Sequence, residues 1–377
     1  MNRTFPAALG AVSLAALTAG QASAQSDADR IAALEQRIAT LEQSSEPLSF
    51  NDESGTTVEL YGYFKTDFIY DFGYELGNTT FGLVGMNSDD DGDFFNATVN
   101  QTRLGFRTTT DTAFGELGSQ VEVDLYGGDN AFSTGDADFR LRHANLTLNG
   151  LRVGQYWTSF MPLSSYPVTL DFQGVAGIPF ARQEQISYEF DITGNFVGEV
   201  AVEESNGDSD DPVLIGAFGY DTDPLLLRAS AIFGNVNNAT GGTEDVYGVN
   251  LSTTADLWEG AQLNAAYTYG EGIASYLVFL GDDLDANGDA IEVQSAYIGI
   301  SQTVGEDLTL RAIYGYRENE TGTADATKRL STLHLNAEYS ILENTSIGAE
   351  YFHGTRDSFD GGSYDVDRIQ TSLTFEF

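Results

Sequence analysis

The stretch SFMPLSSYPVTLDFQGVAGIPFARQ, residues 159–183, interrupts an otherwise steady rhythm of short alternating segments. It holds three of the seven prolines in the chain, Pro162, Pro167 and Pro179. Proline cannot donate to a strand ladder, so this segment is poorly suited to be a strand. It is also too apolar for an open surface loop, because Phe160, Met161, Leu163, Val168, Leu170, Phe172, Val175, Ile178 and Phe180 all need cover. A long, apolar, proline-braced connection between strands is expected to fold back inside a closed body. The expected body is a transmembrane β-barrel whose lumen this loop narrows.

The flanking sequence supports that expectation. In 58–71, Leu60, Phe64, Phe68 and Tyr70 share one face, with Glu59, Tyr61, Lys65 and Asp67 opposite. Residues 101–109 set Gln101, Arg103, Arg107 and Thr109 against Leu104 and Phe106, and 120–125 set Gln120, Glu122 and Asp124 against Val121, Val123 and Leu125. At the C-terminus Arg368, Gln370, Ser372, Thr374 and Glu376 alternate with Ile369, Thr371, Leu373, Phe375 and Phe377. Further strands are expected at 138–149, 151–158, 184–193, 196–204, 213–221, 224–234, 245–255, 260–271, 290–303, 306–317, 328–341 and 345–356. The total is about sixteen, an even number suited to a porin-sized all-β antiparallel barrel. Connections alternate between tight turns and longer acidic or glycine-rich segments, around 72–99, 127–137, 205–212, 273–289 and 357–363. Aromatic residues mark many strand ends (Tyr61, Tyr63, Tyr70, Phe72, Tyr156, Trp157, Tyr267, Tyr269, Tyr314, Tyr316, Tyr351 and Phe352), as interfacial girdles would require.

Ahead of the barrel, 1–24 reads as an export signal. Arg3 gives the basic start, Phe5 to Leu17 the apolar stretch, and Ala22-Ser23-Ala24 the cleavage site. Residues 25–46 contain a short helix with a heptad seam, Ile31, Leu34, Ile38 and Leu41. Two heptads hold a coiled coil only if a larger body already gathers the chains; the alternative is an amphipathic helix lying on its own barrel. The barrel with its inserted loop occupies 47–377. The 377 residues carry 57 Asp+Glu against 17 Lys+Arg, for a formal charge of −40, which argues against nucleic acid as a partner. Cysteine is absent, so there is no disulfide framework and no thiolate metal site.

Against this acidity the basic residues are concentrated. Arg103, Arg107, Arg140, Arg142, Arg152 and Arg182 fall within one stretch of consecutive strands. Alternation turns all but the loop-end Arg182 away from lipid, where an arginine costs about 2–4 kcal/mol at the midplane. A basic wall facing water attracts small anions, especially carboxylates, which guanidinium grips with two hydrogen bonds. Pairing with lumenal acids such as Glu122, Asp124, Asp138, Glu184 and Glu189 is the competing use of these arginines. Beyond Arg142 the alternation slips, which predicts a bulge near His143. The acidic run 282–289 matches a calcium loop only in part, since its twelfth position is Gln294 and no helices flank it, so a solvated loop is expected ahead of a weak divalent-ion site, with no assigned metal and no cofactor. His334 shares a polar face with Thr332, Asn336 and Glu338 and reads as lumen lining. No catalytic motif accompanies the three histidines, so an enzyme is not expected.

Together YGYFKTDFIYDFG, TRLGFRTTT, GELGSQVEVDLYG, LRHANLTLNGLRVGQYWTSF and the C-terminal aromatic strand resemble the DcaP-like trimeric porins. The resemblance covers nearly the whole chain after the signal. It implies a homotrimer of barrels in the bacterial outer membrane, surrounded by lipid and lipopolysaccharide, with periplasmic N-terminal helices. It also implies passage of small anionic solutes such as dicarboxylates, past a constriction lined by Arg103, Arg107, Arg140, Arg142, Arg152 and Arg182. Lys65, on the polar face of its strand, is a further expected pore-lining cation. The readings left open are a structural or adhesive barrel with a plugged lumen, and a general porin that prefers cations.

Overall fold

Residues 48–51 and 55–377 are described in a computed structural model of the chain. The expected signal and heptad helix, 1–24 and 25–46, lie outside the described residues. The strands in chain order are β1 (Leu48–Asn51), β2 (Thr56–Phe72), β3 (Asp93–Thr98), β4 (Arg103–Thr112), β5 (Gly115–Asp124), β6 (Arg140–Leu148), β7 (Leu151–Trp157), β8 (Arg182–Thr193) and β9 (Phe196–Glu203). There follow β10 (Val213–Thr222), β11 (Leu225–Asn237), β12 (Thr243–Trp258), β13 (Ala261–Glu271), β14 (Glu292–Val304), β15 (Leu308–Asn319), β16 (Thr327–Leu342), β17 (Thr345–Ser358) and β18 (Ser363–Glu376).

From β4 to β18 each strand pairs antiparallel with the next, and β18 returns to pair with β2. The last residue completes the closure, because Gly62 N donates to Phe377 O and Phe377 N to Gly62 O, both at 3.1 Å. β3 and β4 both pair with β2, along its upper and lower halves, so they form one barrel strand interrupted at 99–102. Thr102 bridges the gap: its hydroxyl accepts from Lys65 N and donates to Lys65 O. β1 lies against residues 57–60 of β2, beyond the point where β18 ends. Eighteen segments therefore make a closed wall of sixteen strands with no open edge, as spanning a bilayer demands. All sixteen expected strands are present. β1 and β3 were not expected, being only four and six residues long.

The two faces are inverted relative to a water-soluble protein. Phe64, Phe68, Leu251 and Ile298 point out and are exposed, whereas Lys65, Asp67, Asn250 and Ser295 point in and are buried. An apolar exterior around a polar interior is the pattern of an outer-membrane barrel. Tyr70, Phe72, Tyr267, Tyr314 and Tyr351 are exposed on the outer face. Tyr61, Tyr63, Tyr156, Trp157 and Phe352 depart from the expected girdle. They turn inward, four of them against arginines and Phe352 fully buried.

Four connections at one end fold into the barrel: 73–92, 125–139, 158–181 and 272–291. Leu76, Leu83 and Met86 of the first, Val175, Ala176 and Ile178 of the third, and Val278 and Phe279 of the fourth form one buried cluster with Ile313, Leu330, Phe352 and Val366 of the wall. The segment 272–291, expected as an acidic outer loop, is apolar in its first half, and Ile273 to Phe279 are buried apart from the more open Ser275. Its acidic half divides. Asp285 caps its own turn through Asn287 N and Asp289 N, while Asp283 turns inward to accept from Ser275 N at 2.8 Å.

Candidate permeation site

The inserted loop lies along one side of the lumen because side chains of that side hold its backbone. Arg228 donates to Ser159 O and Met161 O, Tyr297 to Ser165 O, Ser295 to Gly177 O, and Thr332 accepts from Ala176 N. Near the loop tip Glu350 accepts from Leu170 N at 2.9 Å and Asp171 N at 3.3 Å, and is itself oriented by Asn336 and His334. Arg368 bonds Asp71, Asp171 and the Gly77 carbonyl, tying two loops to the wall. Each anchor satisfies a backbone or carboxylate group that burial would otherwise leave unpaired, a cost of about 1–3 kcal/mol apiece.

Two sequence expectations change here. Lys65 gives its three protons to Asp67 Oδ1 (2.7 Å), Gln101 Oε1 (2.7 Å) and Leu170 O (2.9 Å), and is 5% exposed. It fastens the loop and has no proton left for a solute. His334 is fully buried against Phe352 and does not line water.

These anchors stand on β11, β14 and β16–β18 and on β2. The arginines singled out from sequence stand on β4–β8, the side from which the loop leaves and to which it returns, and which it meets through the rings of Phe172 and Phe180. Register explains their order. Glu122 faces His143 and Val123 faces Leu141, leaving Arg142 as the extra residue of a bulge. Arg142 and His143 are therefore both buried, where strict alternation would send one outward. The slip anticipated from the sequence falls at this place.

The acids on β5 divide the six arginines. Arg140 holds Asp124 with two bonds, 3.0 and 2.6 Å. Arg142 spans Glu122 at 2.7 Å and Asp124 at 3.0 Å. Arg103 approaches Glu122 only to 3.5 Å, and its Nε is buried without a hydrogen-bond partner. Arg107 is half-exposed, 3.8 Å from Glu59 and over the Tyr61 ring. Among the described residues Arg152 meets no acid; it bonds Asn145 Oδ1 and stacks 3.7 Å from the Tyr156 centroid. Arg182 stacks on Trp157, and its Nη1 is buried with no partner. It lies within electrostatic reach of Arg103, Arg140 and Arg142. Four guanidinium groups against the two carboxylates Glu122 and Asp124 leave two positive charges in surplus. The other expected partners do not compensate, since Glu184 shares the outward face with Ile186 and Tyr188, Asp138 is exposed and caps Phe139 N, and Glu189 lines a separate cavity with Glu199 and Arg228.

Between this wall and the loop is a cavity of about 360 Å³, bounded by Arg140, Arg182, Phe132, Phe172, Phe180 and Phe81. Arg140 sits among the rings of Tyr126, Phe132 and Phe172, each within 5.4 Å. Aromatic faces hold the guanidinium planes in place without neutralising them.

A closed sixteen-stranded barrel, apolar outside and narrowed by an inserted loop, is an outer-membrane porin. A family model for the DcaP outer membrane protein matches residues 21–377, and the chain belongs to that family. Among solved structures it is similar to the outer membrane channel DcaP of Acinetobacter baumannii, with 24% identity over 87% of this chain and 99% of that one and a TM-score of 0.79. The anion-selective porin from Comamonas acidovorans gives 16% identity, 85% and 100% coverage and a TM-score of 0.61. The trimer form of OmpT from Vibrio cholerae gives 14% identity, 85% and 99% coverage and a TM-score of 0.56. No curated protein matches the chain.

Proposed function

We propose that this porin is a passive channel for small hydrophilic anions, dicarboxylates among them, and that it acts as a homotrimer seated in lipid and lipopolysaccharide, not as an enzyme. The observation that carries the reading is the local surplus of guanidinium around Glu122 and Asp124, where Arg103, Arg140, Arg142 and Arg182 gather on two carboxylates, opposite the far wall that holds the loop backbone. Arg152 and Arg182 lack a close acid and Arg103 reaches Glu122 only at 3.5 Å without a hydrogen bond, so these are the groups free to replace the hydration of a passing carboxylate. Arg107, further down the same wall, extends their field, and Arg140 and Arg142 position the acids that brace it. Lys65 serves through the loop it fastens. The anion selectivity of the Comamonas acidovorans porin and the trimeric form of OmpT support the selectivity and assembly assigned here.

Reversal potential across a planar bilayer under a salt gradient tests the reading. Anion preference is expected, and exchanging Arg103 and Arg182 together for Ser should weaken or abolish it. Cation preference in the unaltered protein would mean that the lumenal acids prevail. A second reading, a plugged structural barrel, draws on the four inward loops that fill much of the lumen, and absence of any conductance would favour it.

A further inference from the structure

The inserted loop does not form the constriction alone. Segment 272–291 docks on it edge to edge: Phe180 N donates to Tyr276 O at 2.7 Å, Val278 N donates to Ile178 O at 2.8 Å, and Pro179 faces Leu277 in an antiparallel bridge. Ile273, Tyr276 and Leu277 pack with Phe160 and Ala181 in one buried cluster, and Val278 and Phe279 pack with Val175, Ala176 and Ile178 in another. The two loops therefore behave as one packed unit. Leu277 to Leu280 form part of the wall of the cavity that Arg140 and Arg182 also bound.

The end of this segment is held in an unusual conformation. Phe279 and Leu280 both have positive φ, 71° and 47°, which large side chains rarely adopt. Arg317, 1% exposed on β15, fixes them by donating to Leu280 O, and Gly281 is the residue that leaves room for its guanidinium. The consequence is an inverted pair. Phe279 is 1% exposed, while Leu280 is 50% exposed at the edge of the cavity.

We propose that Leu280, held out by Arg317, is the second lip of the constriction and sets the size of solute admitted, while the arginine wall sets the sign of its charge. This rests on the reading of the barrel as a conducting channel. Pore size and charge selectivity then reside on different elements and are separable by substitution. Leu280 is exposed, so changing it disturbs no packed core.

Single-channel conductance and the exclusion size for polyethylene glycols, measured on the full chain with Leu280→Ala and Leu280→Trp, test this. Conductance should rank Ala above Leu above Trp, with an about twofold span. The exclusion size should follow the same order, and the reversal potential should stay put. Arg317→Met, which frees Leu280 O, should broaden the distribution of conductance levels. Equal conductance and exclusion size in both Leu280 variants would overturn the proposal, as would an unaltered protein that does not conduct. A shift of reversal potential without a change of conductance would overturn it too, by assigning Leu280 to charge selection. Cation preference with the size order intact would sink the anion reading alone.

Discussion

At the scale of single residues, the arginines look alike in sequence and differ by the company they keep. Arg142 is buried between Glu122 and Asp124. Replacing it by Met leaves two carboxylates short of a partner in a low-dielectric wall, and removing one member of a buried pair costs about 3–5 kcal/mol. The Arg142→Met barrel should therefore unfold at lower temperature, read as the heat-dependent mobility shift of the folded band in detergent gels. Arg182 bonds no acid, so Arg182→Gln should leave that temperature unchanged and reduce anion preference. Equal thermal loss in both variants would mean that Arg182 is also structural. Strand alternation indicated that arginines faced inward, and the parity slip after Arg142 located the bulge. It did not show which acids they would meet, because pairing depends on register across strands. Glu184, one residue out of phase with Gln183 and Gln185, thus faces outward although it is charged.

At the scale of elements, strands were legible in sequence and loops were not. A strand buried on one face repeats every two residues, and that repeat marked all sixteen. A loop has no period, so its fate depends on what holds it. The proline-braced apolar run 159–183 announced an inward fold, yet Ile273 to Phe279 carried the same apolar signal and was masked by the acidic residues that follow. His334 and Lys65 shared the polar faces of their strands, which identified the inner face but not whether water or a loop covered it. Asp283 gives this element a pH dependence. Burial pushes its carboxyl up to about 6 against the pull of Ser275 and Arg317, whereas an unfolded Asp titrates at about 3.9. The folded form thus holds its proton more tightly, so docking of 272–291 is most favourable below about pH 4 and weakens as pH rises through about 6. Hydrogen exchange of the Ser275 and Ile291 amides should accelerate over that range beyond the ordinary base catalysis seen at control amides. Asp283→Asn should remove the excess.

At the scale of the whole molecule, a formal charge of −40 surrounds a local patch of opposite sign. The acids are not spread evenly. Asp89, Asp90, Asp91 and Asp93, and Asp208, Asp210 and Asp211, are exposed at the long-loop end through which a solute enters. An approaching anion meets their repulsion first and the arginines only within the constriction. These two fields differ in reach, so salt separates them. At 0.01 M the screening length is about 30 Å and the acidic mouth acts on the entering ion; at 0.1 M it is about 10 Å, and at 1 M about 3 Å. Exposed loop acids lose their influence first, because the arginines act on an ion at near contact inside a low-dielectric wall. The ratio of anion to cation permeability should therefore rise between 0.01 and 0.1 M salt, and fall again toward 1 M as the guanidinium field is screened in turn. Neutralising Asp208, Asp210 and Asp211 to Asn should raise the low-salt end and leave the 0.1 M value almost unchanged. A ratio that declines steadily from the lowest salt upward would show that the acidic mouth has no part in entry, and that the overall charge serves the outer surface alone.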